Sequence, residues 1–495
     1  MVWEARDKAM QVKLSSWTTG DSEVNPVRVE PAKGKMTEIV SVVATLLLLF
    51  APAILVVLPV FPRSIWLFVI VSVFCFASIL LLVFEQYEIW ASMLFGALTF
   101  FPAEAVGIIS GYNYMLSSGL INISLAGYIS MIMVIHAAVF AAYHKISFNI
   151  DLVSWALVTL AIIVGIRILA DGLSGILSNK LFDTLFLPIA ASLAIISLPR
   201  IDVRKVEHIF LGFLFINGVL ACYEYLVGMN PILDWYYASS NQWYQQIVNA
   251  SHWHVAYRSS ALIGHPLTLA IYMNIGIMLS IKTLSRKGLK IAFVIVFICA
   301  LLTTNSRGGL LVLLIMLIYF SYKKGTGYML LALLFIALGV VFFGPSVYAS
   351  FFSRDATGSS LLARSTGLSA VFSASPIQLL LGVGFRGSQS IVSSYADTQS
   401  NIEIGPVVLL VQIGFFSFVA LAIYCYKLLI SGGKAPARVG SYDTSTLQAL
   451  NLSIAVFLVE ACTYNSIGDP GQLMYLLFSM LALRSCLIRQ WVFAN

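Results

Sequence analysis

The chain has 495 residues, of which 59% are hydrophobic and only 10% are charged. This composition excludes a soluble globular domain, which needs more polar residues to cover its surface. The formal net charge is +7, but most basic residues lie in short connections between apolar runs, where they orient a protein in a membrane. We therefore expect membrane lipids as partners and no nucleic acid.

Residues 1–36 are polar and mixed in charge. They lack the short apolar core and the small-residue cleavage site of a signal peptide, so we expect a cytosolic tail. From about residue 37 onward, apolar runs recur that are long enough, at roughly 18 residues or more, to cross the hydrocarbon layer as helices. Because a lipid-facing backbone must satisfy its own hydrogen bonds, the sequence predicts an all-α polytopic membrane protein.

About fourteen transmembrane helices are predicted, at residues 37–61, 64–84, 88–108, 121–142, 151–170, 181–199, 206–227, 261–282, 289–305, 308–322, 327–344, 402–429, 447–466 and 470–488. With the N-terminus inside, basic connections such as SIKTLSRKGLK and SYKKGTG fall on the cytoplasmic side, as the positive-inside rule requires. Both termini are then cytoplasmic, with a short C-terminal tail at residues 489–495.

Two connections on the outer side are unusually long, residues 228–260 and 345–401. Loops of this length in a compact membrane protein are usually functional or disordered. The first is rich in aromatic and amide side chains, among them Trp243 and Tyr257. These side chains either form an aromatic belt at the membrane interface or line a site that stacks on sugar rings or lipid isoprenes, and composition leaves both open.

Five arginines share a predicted position near the outer membrane boundary: Arg167, Arg258, Arg307, Arg364 and Arg386. A guanidinium in the middle of a membrane costs about 2.5–3.5 kcal/mol, so each one needs an explanation. One explanation is snorkelling, or an ion pair with an acid such as Glu224 or Glu460. The other is an anionic lipid, because guanidinium groups bind phosphate oxygens bidentately. Two glycines follow Arg307, and we expect them to form a tight turn that lets such a lipid approach closely.

Four segments in this order carry a family resemblance: YRSSALIGHP, NSRGGLL, SPIQLLLGVGFRG and SNIEIGPVVLLVQIGFF. They resemble the O-antigen ligase and Wzy polymerase superfamily over roughly residues 205–488, whereas the helices of residues 37–204 match only in general character. The resemblance implies a GT-C-like glycosyltransferase of the bacterial inner membrane that uses undecaprenyl-pyrophosphate-linked glycans on the periplasmic face. It also implies that Arg258 and Arg307 contact the donor pyrophosphate and that Arg364 supports them from a closing loop.

Ligases of this superfamily typically have a histidine in the large outer loop, and residues 345–401 contain none. This departure favours a polymerase, which transfers a growing chain from one lipid carrier onto a lipid-linked repeat unit to make O-antigen or exopolysaccharide. Both substrates then carry pyrophosphate, which gives Arg167 and Arg386 a ligand. A chain-length regulator and a flippase of the same pathway are expected partners. The alternatives are an O-antigen ligase that uses lipid A core as acceptor, and an anion or solute transporter.

The expected chemistry uses no metal and no cofactor. No paired-aspartate motif occurs in an outer loop, and preorganised arginines can stabilise the charge of a leaving pyrophosphate. The acceptor hydroxyl needs a general base, and the candidates are His265, Asp397 and Glu403, together with His252 and His254. Each of the first three has a structural alternative: His265 precedes a proline at a helix start, Glu403 suits a helix N-terminus, and Asp397 can form a turn.

Overall fold

The computed structural model describes most of the predicted helical region. The described residues are 63–102, 123–144, 152–170, 181–198, 201–237, 257–324, 365, 367–384, 387, 388, 390, 391, 404–431, 441–462 and 472–493. Every regular element in these ranges is helical and none is a strand, which confirms the all-α class for this part of the chain. The predicted tail at residues 1–36 and the predicted spans at residues 37–61 and 327–344 lie outside the described residues.

The helices in chain order are α1 (Arg63–Val83), α2 (Tyr87–Phe100), α3 (Leu125–His144), α4 (Leu152–Ala170), the π-helical turn π1 (Phe182–Phe186), α5 (Leu187–Ser197), α6 (Val203–Val227), α7 (Pro231–Tyr237), α8 (Pro266–Thr283), α9 (Lys287–Thr303), α10 (Arg307–Lys324), α11 (Pro376–Leu381), α12 (Gly405–Ser431), α13 (Ser441–Ala461) and α14 (Gln472–Phe493). The short helices α7 and α11, of 7 and 6 residues, are too short to cross a membrane. Helices thus occur at twelve of the predicted spans.

Five of the described helical segments are long and apolar enough to cross a membrane: Val203–Val227, Pro266–Thr283, Gly405–Lys427, Thr444–Ala461 and Leu473–Gln490. Five shorter apolar segments accompany them, in α1, α3, α4, π1 with α5, and α10. The chain is therefore a helical membrane protein by the length and composition of its helices. The total of fourteen spans stays a prediction.

Helix α6 shows how the sequence sets the ends of a span. At its start, the Asp202 side chain accepts a hydrogen bond from the Lys205 N–H, 3.2 Å away, which caps the free N–H groups of the first turn. At its end, Gly228 has a φ of 73°, and its N–H donates to the carbonyl of Glu224 at 2.8 Å. A residue with a side chain would be strained in this left-handed conformation, so glycine ends the helix here.

Helix α14 lies inside the bundle, where it packs against α5, α13, α2, α6 and π1. Most of its apolar side chains belong to a single continuous core that extends through the other spans. The helix runs to Phe493 and so continues past residue 488, where the sequence predicted the span to end. Its Arg484 is fully buried, and its Nε donates to the Asn451 Oδ1 at 2.5 Å.

The bundle has two chemically different ends. Side-chain hydrogen bonds join the C-terminal ends of α8 and α14 to the starts of α13 and α6, with Lys282 Nζ donating to Gln448 Oε1 and Gln490 Nε2 donating to the carbonyl of Ile201. The lysines among the described residues lie at or near these helix ends or the neighbouring ends of α9, α10 and α12: Lys205, Lys282, Lys287, Lys290, Lys323, Lys324 and Lys427. We call this the lysine end, and the opposite one, with Arg258 and Arg307, the arginine end.

One predicted span begins later than expected. The sequence predicted a helix over residues 261–282, but residues 261–264 are not helical and α8 starts at Pro266. Proline fixes the backbone for the first helical position, and Gly264 precedes it with a φ of 91°, which interrupts a helix. The apolar residues Ala261–Ile263 therefore belong to a linking segment, which we define as residues 257–264.

Candidate functional site

The linking segment lies along the last turns of α6. The Ser259 hydroxyl donates to the carbonyl of Ala221 at 2.8 Å, and the Leu262 N–H donates to Asn217 Oδ1 at 3.2 Å. The carbonyl of Ala261 accepts from Asn230 Nδ2 at 2.8 Å. Non-helical backbone at membrane depth is tolerated only where protein or water satisfies its polar groups. Asn217 in α6 and Asn230 after it are buried, and their side chains satisfy backbone groups of the linking segment.

Glu224 binds the same segment with its carboxylate. The Tyr257 hydroxyl donates to Oε1 at 2.6 Å, and the Ala261 N–H donates to Oε2 at 2.7 Å. The Ser260 N–H lies 3.2 Å from each oxygen. Glu224 is only 1% exposed, and its hydrogen-bond partners are hydroxyl, amide and backbone groups. Of the two explanations for the arginines, an ion pair with Glu224 is therefore not formed, because the carboxylate accepts from the Tyr257 hydroxyl and from backbone N–H groups.

Three hydrogen bonds join the linking segment to the turn between α9 and α10. Arg258 Nε donates to the carbonyl of Thr304 at 2.9 Å, and the Ser259 N–H donates to the carbonyl of Thr303 at 3.1 Å. Asn305 Nδ2 donates to the carbonyl of Tyr257 at 3.3 Å. The two arginine-bearing motifs, YRSS and NSRGG, are far apart in the sequence but lie against each other in the fold.

Arg307 is the first residue of α10. Ser306 caps the helix, since its hydroxyl accepts from the Gly309 N–H at 3.1 Å and its carbonyl accepts from the Leu310 N–H at 3.0 Å. Arg307 is half-buried, and its positive charge lies at the positive end of the helix dipole. An anion at this position would be stabilised by both, as is common for phosphate groups at helix N-termini.

The glycine after next, Gly309, lies within the first turn of α10 and is packed against protein. A Cβ atom placed on it would lie 2.9 Å from Ala270 Cβ, 2.9 Å from Leu301 Cδ1 and 3.0 Å from Glu460 Oε1. Its carbonyl accepts from Asn274 Nδ2 at 3.0 Å, and the same amide donates to Glu460 Oε2 at 2.9 Å. The expected glycine turn open to lipid is therefore wrong at this position, because Gly309 lets α10 approach α8, α9 and α13.

His265 caps the start of α8. Its Nδ1 accepts from the Leu267 N–H at 3.3 Å, so a neutral imidazole here carries its proton on Nε2. Burial, and secondarily the positive charge of Arg258, lowers the pKa of His265 from 6.5 to about 3. The ring is therefore neutral at ordinary pH and close enough to Arg258 to feel its charge. The structural alternative, a residue at a helix start, is therefore present, and the structure shows that its side chain caps α8.

Tyr257 is half-buried beside this site. Burial raises the pKa of its hydroxyl, and the negative charge of Glu224 raises it further. The phenol therefore stays protonated and acts as the donor to Glu224 at neutral pH. Its observed contact is with the protein, and the proposed stacking on sugar or isoprene stays a prediction.

Arg167 lies at the same end of the bundle on a different set of helices. It is half-buried near the C-terminal end of α4, which packs mainly against α12, α5 and π1. Arg258 and Arg307 instead lie among α6, α8, α9 and α10. The remaining predicted site residues, Trp243, Arg364, Arg386, Asp397 and Glu403, lie outside the described residues, as do His252 and His254.

Sequence reasoning did not single out a second buried acid network at the start of α5. Asp183, in the π-helical turn π1, accepts from the Tyr475 hydroxyl at 2.8 Å, the Ser124 hydroxyl at 3.0 Å and the Ser124 N–H at 3.1 Å. A Cβ atom added to Gly127 would lie 2.4 Å from Asp183 Oδ1. The signal was available, since an aspartate in an apolar run has to be paired. The network ties α3 and α14 together near their N-terminal ends.

No cluster of three or more histidine, cysteine, aspartate or glutamate side chains able to hold a metal occurs among the described residues. No protein-family model and no curated protein matches the chain.

Proposed function

We propose that the protein is a bacterial inner-membrane glycosyltransferase of GT-C type. It polymerises undecaprenyl-pyrophosphate-linked repeat units into O-antigen or exopolysaccharide on the periplasmic face. The observation that carries the proposal is the hydrogen-bonded contact between the Arg258 segment and the turn before Arg307. Two guanidinium groups on fixed backbone near one place suit a ligand with two linked phosphates, which each can bind bidentately.

The arginines would act on the leaving group. When the glycosyl–pyrophosphate bond breaks, negative charge grows on the pyrophosphate, and preorganised cations stabilise it without a metal. The N-terminus of α10 adds its dipole at Arg307. Cleavage would proceed as the acceptor hydroxyl of the second lipid-linked unit attacks the anomeric carbon, with pyrophosphate leaving on the first carrier.

The geometry favours a different role for His265 than that of general base. Its Nδ1 already accepts the Leu267 N–H, and its pKa of about 3 makes it a poor proton acceptor at neutral pH. In the neutral form the ring offers Nε2–H as a hydrogen-bond donor beside Arg258. Of the five candidate bases, Asp397, Glu403, His252 and His254 remain for the proton of the acceptor hydroxyl.

The distribution of lysines supports the proposed orientation. Each lysine among the described residues lies at the end opposite Arg258 and Arg307, and lysine-rich ends of membrane helices face the cytoplasm. The arginine end would then face the periplasm, where lipid-linked glycans are polymerised. A flippase that delivers the repeat unit and a regulator of chain length are the partners this reaction would need.

The experiment that tests the proposal uses purified full-length protein in nanodiscs with the host's undecaprenyl-pyrophosphate repeat unit. Wild type is compared on a glycan gel with Arg258→Lys and Arg307→Lys, which keep the charge but lose the bidentate geometry. Arg204→Lys, at the lysine end, is the matched control. A glycan ladder from wild type and R204K, lost or reduced at least about tenfold in the two site variants, is expected.

The outcomes separate the three functions. Transfer only when lipid A core is added would identify a ligase in place of a polymerase. A verified donor that stays intact under both conditions, together with solute or anion uptake into proteoliposomes, would replace the enzyme by a transporter. Equal ladders from wild type and both site variants would remove the arginines from the site.

A further inference from the structure

Glu224 lies where a membrane protein rarely places an acid. It is in the last turn of α6, a helix long enough to span the membrane, and it is 1% exposed. A carboxylate there is expensive unless hydrogen bonds satisfy it. Its position calls for a function that an uncharged residue could not perform.

The partners of Glu224 surround Arg258 in the sequence. The Tyr257 hydroxyl lies on one side of Arg258, and the N–H groups of Ser260 and Ala261 lie on the other. Every one of these groups donates to the carboxylate, and hydrogen bonds to an ionised acceptor are the stronger kind. Glu224 therefore holds the residues that flank Arg258 on both sides.

The Arg258 side chain is held in turn by this arrangement. Its Nε donates to the carbonyl of Thr304, so contacts with a phosphate come from the Nη edge of the guanidinium. The direction of that edge depends on where the linking segment lies relative to the turn before Arg307. Glu224 fixes the position of the linking segment, because it joins this segment to α6.

We propose that Glu224 is a positioning residue for the pyrophosphate site, which holds residues 257–261 of the linking segment so that Arg258 meets the ligand together with Arg307. The inference rests on the proposed function, since it names the residue that prepares Arg258 for the pyrophosphate. Glu224 touches no reacting atom and acts through Arg258.

Glutamine is the informative replacement, because it has nearly the same shape. Only one of its terminal atoms accepts, and whichever oxygen its NH2 group replaces, that group would face the Ser260 N–H, which lies 3.2 Å from both oxygens. Two donors facing each other leave a buried group unsatisfied. Glu224→Gln is therefore expected to shift the linking segment. Tyr257→Phe removes one donor and leaves the carboxylate bonded to backbone N–H groups.

The test measures binding of farnesyl pyrophosphate, a soluble prenyl pyrophosphate, to full-length protein in nanodiscs. E224Q is expected to weaken binding at least about tenfold, and Y257F about threefold. Glu207→Gln is the matched control, since Glu207 is also buried on α6 but lies near the lysine end, and its affinity should stay within about twofold of wild type. Thermal unfolding checks that each variant is folded.

A double-mutant cycle distinguishes positioning from general support of the fold. If Glu224 acts through Arg258, then E224Q combined with R258K binds no more than about twofold worse than R258K alone. Losses that multiply in the double variant would overturn the positioning role, as would wild-type affinity in E224Q. If E224Q does not fold, the same cycle is run with Y257F. Wild type that neither binds the probe nor converts the lipid-linked donor would instead reject the proposed function, and the inference with it.

Discussion

The packing around Gly309 makes a quantitative prediction about the helix that carries Arg307. In Gly309→Ala, the new Cβ would lie 2.9 Å from Ala270 Cβ, which is fixed to helix α8, and 2.9 Å from Leu301 Cδ1, which can rotate away. Overpacking of this kind costs about 2 kcal/mol. A displaced α10 would also lengthen the bond from Asn274 to the Gly309 carbonyl, at about 1 kcal/mol. Alanine regains about 1 kcal/mol of helix propensity, so the net loss is about 2 kcal/mol.

Unfolding by sodium dodecyl sulfate in mixed micelles measures this free energy directly. Gly212→Ala in α6 is the matched control, because a Cβ atom there meets nothing within 4 Å. It should be as stable as wild type or more stable, by up to about 1 kcal/mol. The affinity of G309A for farnesyl pyrophosphate should fall as well, since α10 carries Arg307. Equal stability of G309A and G212A would refute the conclusion that Gly309 serves helix packing.

Two further predictions concern buried polar groups. His265→Ala should lose about 1 kcal/mol of stability by removing the α8 cap, whereas His265→Asn keeps an acceptor and should restore most of it. Since the pKa of His265 falls to about 3 when folded, its contribution is present above pH 6.5 and is lost as the pH falls toward 3. Wild type should therefore lose more stability than H265N between pH 7.5 and 5 in the same titration, and parallel curves would contradict the assigned cap. Asp183→Leu should cost about 1–3 kcal/mol, because the buried N–H and hydroxyl of Ser124 and the hydroxyl of Tyr475 would lose their acceptor, and Tyr475→Phe should cost less; a neutral D183L would show that the network contributes nothing.

The helices could be predicted from the sequence because lipid imposes a simple rule. An apolar run of sufficient length has to be helical, whatever its neighbours are, and each of the twelve predicted spans that the structure describes contains a helix. Prediction failed where polar side chains from another helix changed the conformation of an apolar run. Residues 261–263 are as apolar as a span, but Glu224 and Asn217, from a different helix, accept from the N–H groups of Ala261 and Leu262, and this part of the chain forms a turn instead of a helix.

The candidate site could be predicted in part. The arginine motifs were visible as charges at the boundaries of apolar runs, and the resemblance brought them together as one expected site. The contact between them rests on backbone carbonyls, those of Thr303, Thr304 and Tyr257, which every residue carries and no sequence pattern marks. The role of Gly309 could not be predicted either, because a glycine in a sequence does not show whether it makes room for a lipid or for a neighbouring helix.

The sequence suggested an ion pair between Glu224 and an arginine, but Glu224 forms no ion pair in the fold. An ion pair between Glu224 and an arginine would neutralise both charges. The arginine would then bind a phosphate less well. The Glu224 carboxylate instead accepts hydrogen bonds from the Tyr257 hydroxyl and from the backbone N–H groups of Ser260 and Ala261. Its negative charge stabilises a non-helical segment that the bundle could not otherwise bury. That segment carries Arg258, so the acid that looked like a partner for the cation is better understood as its support.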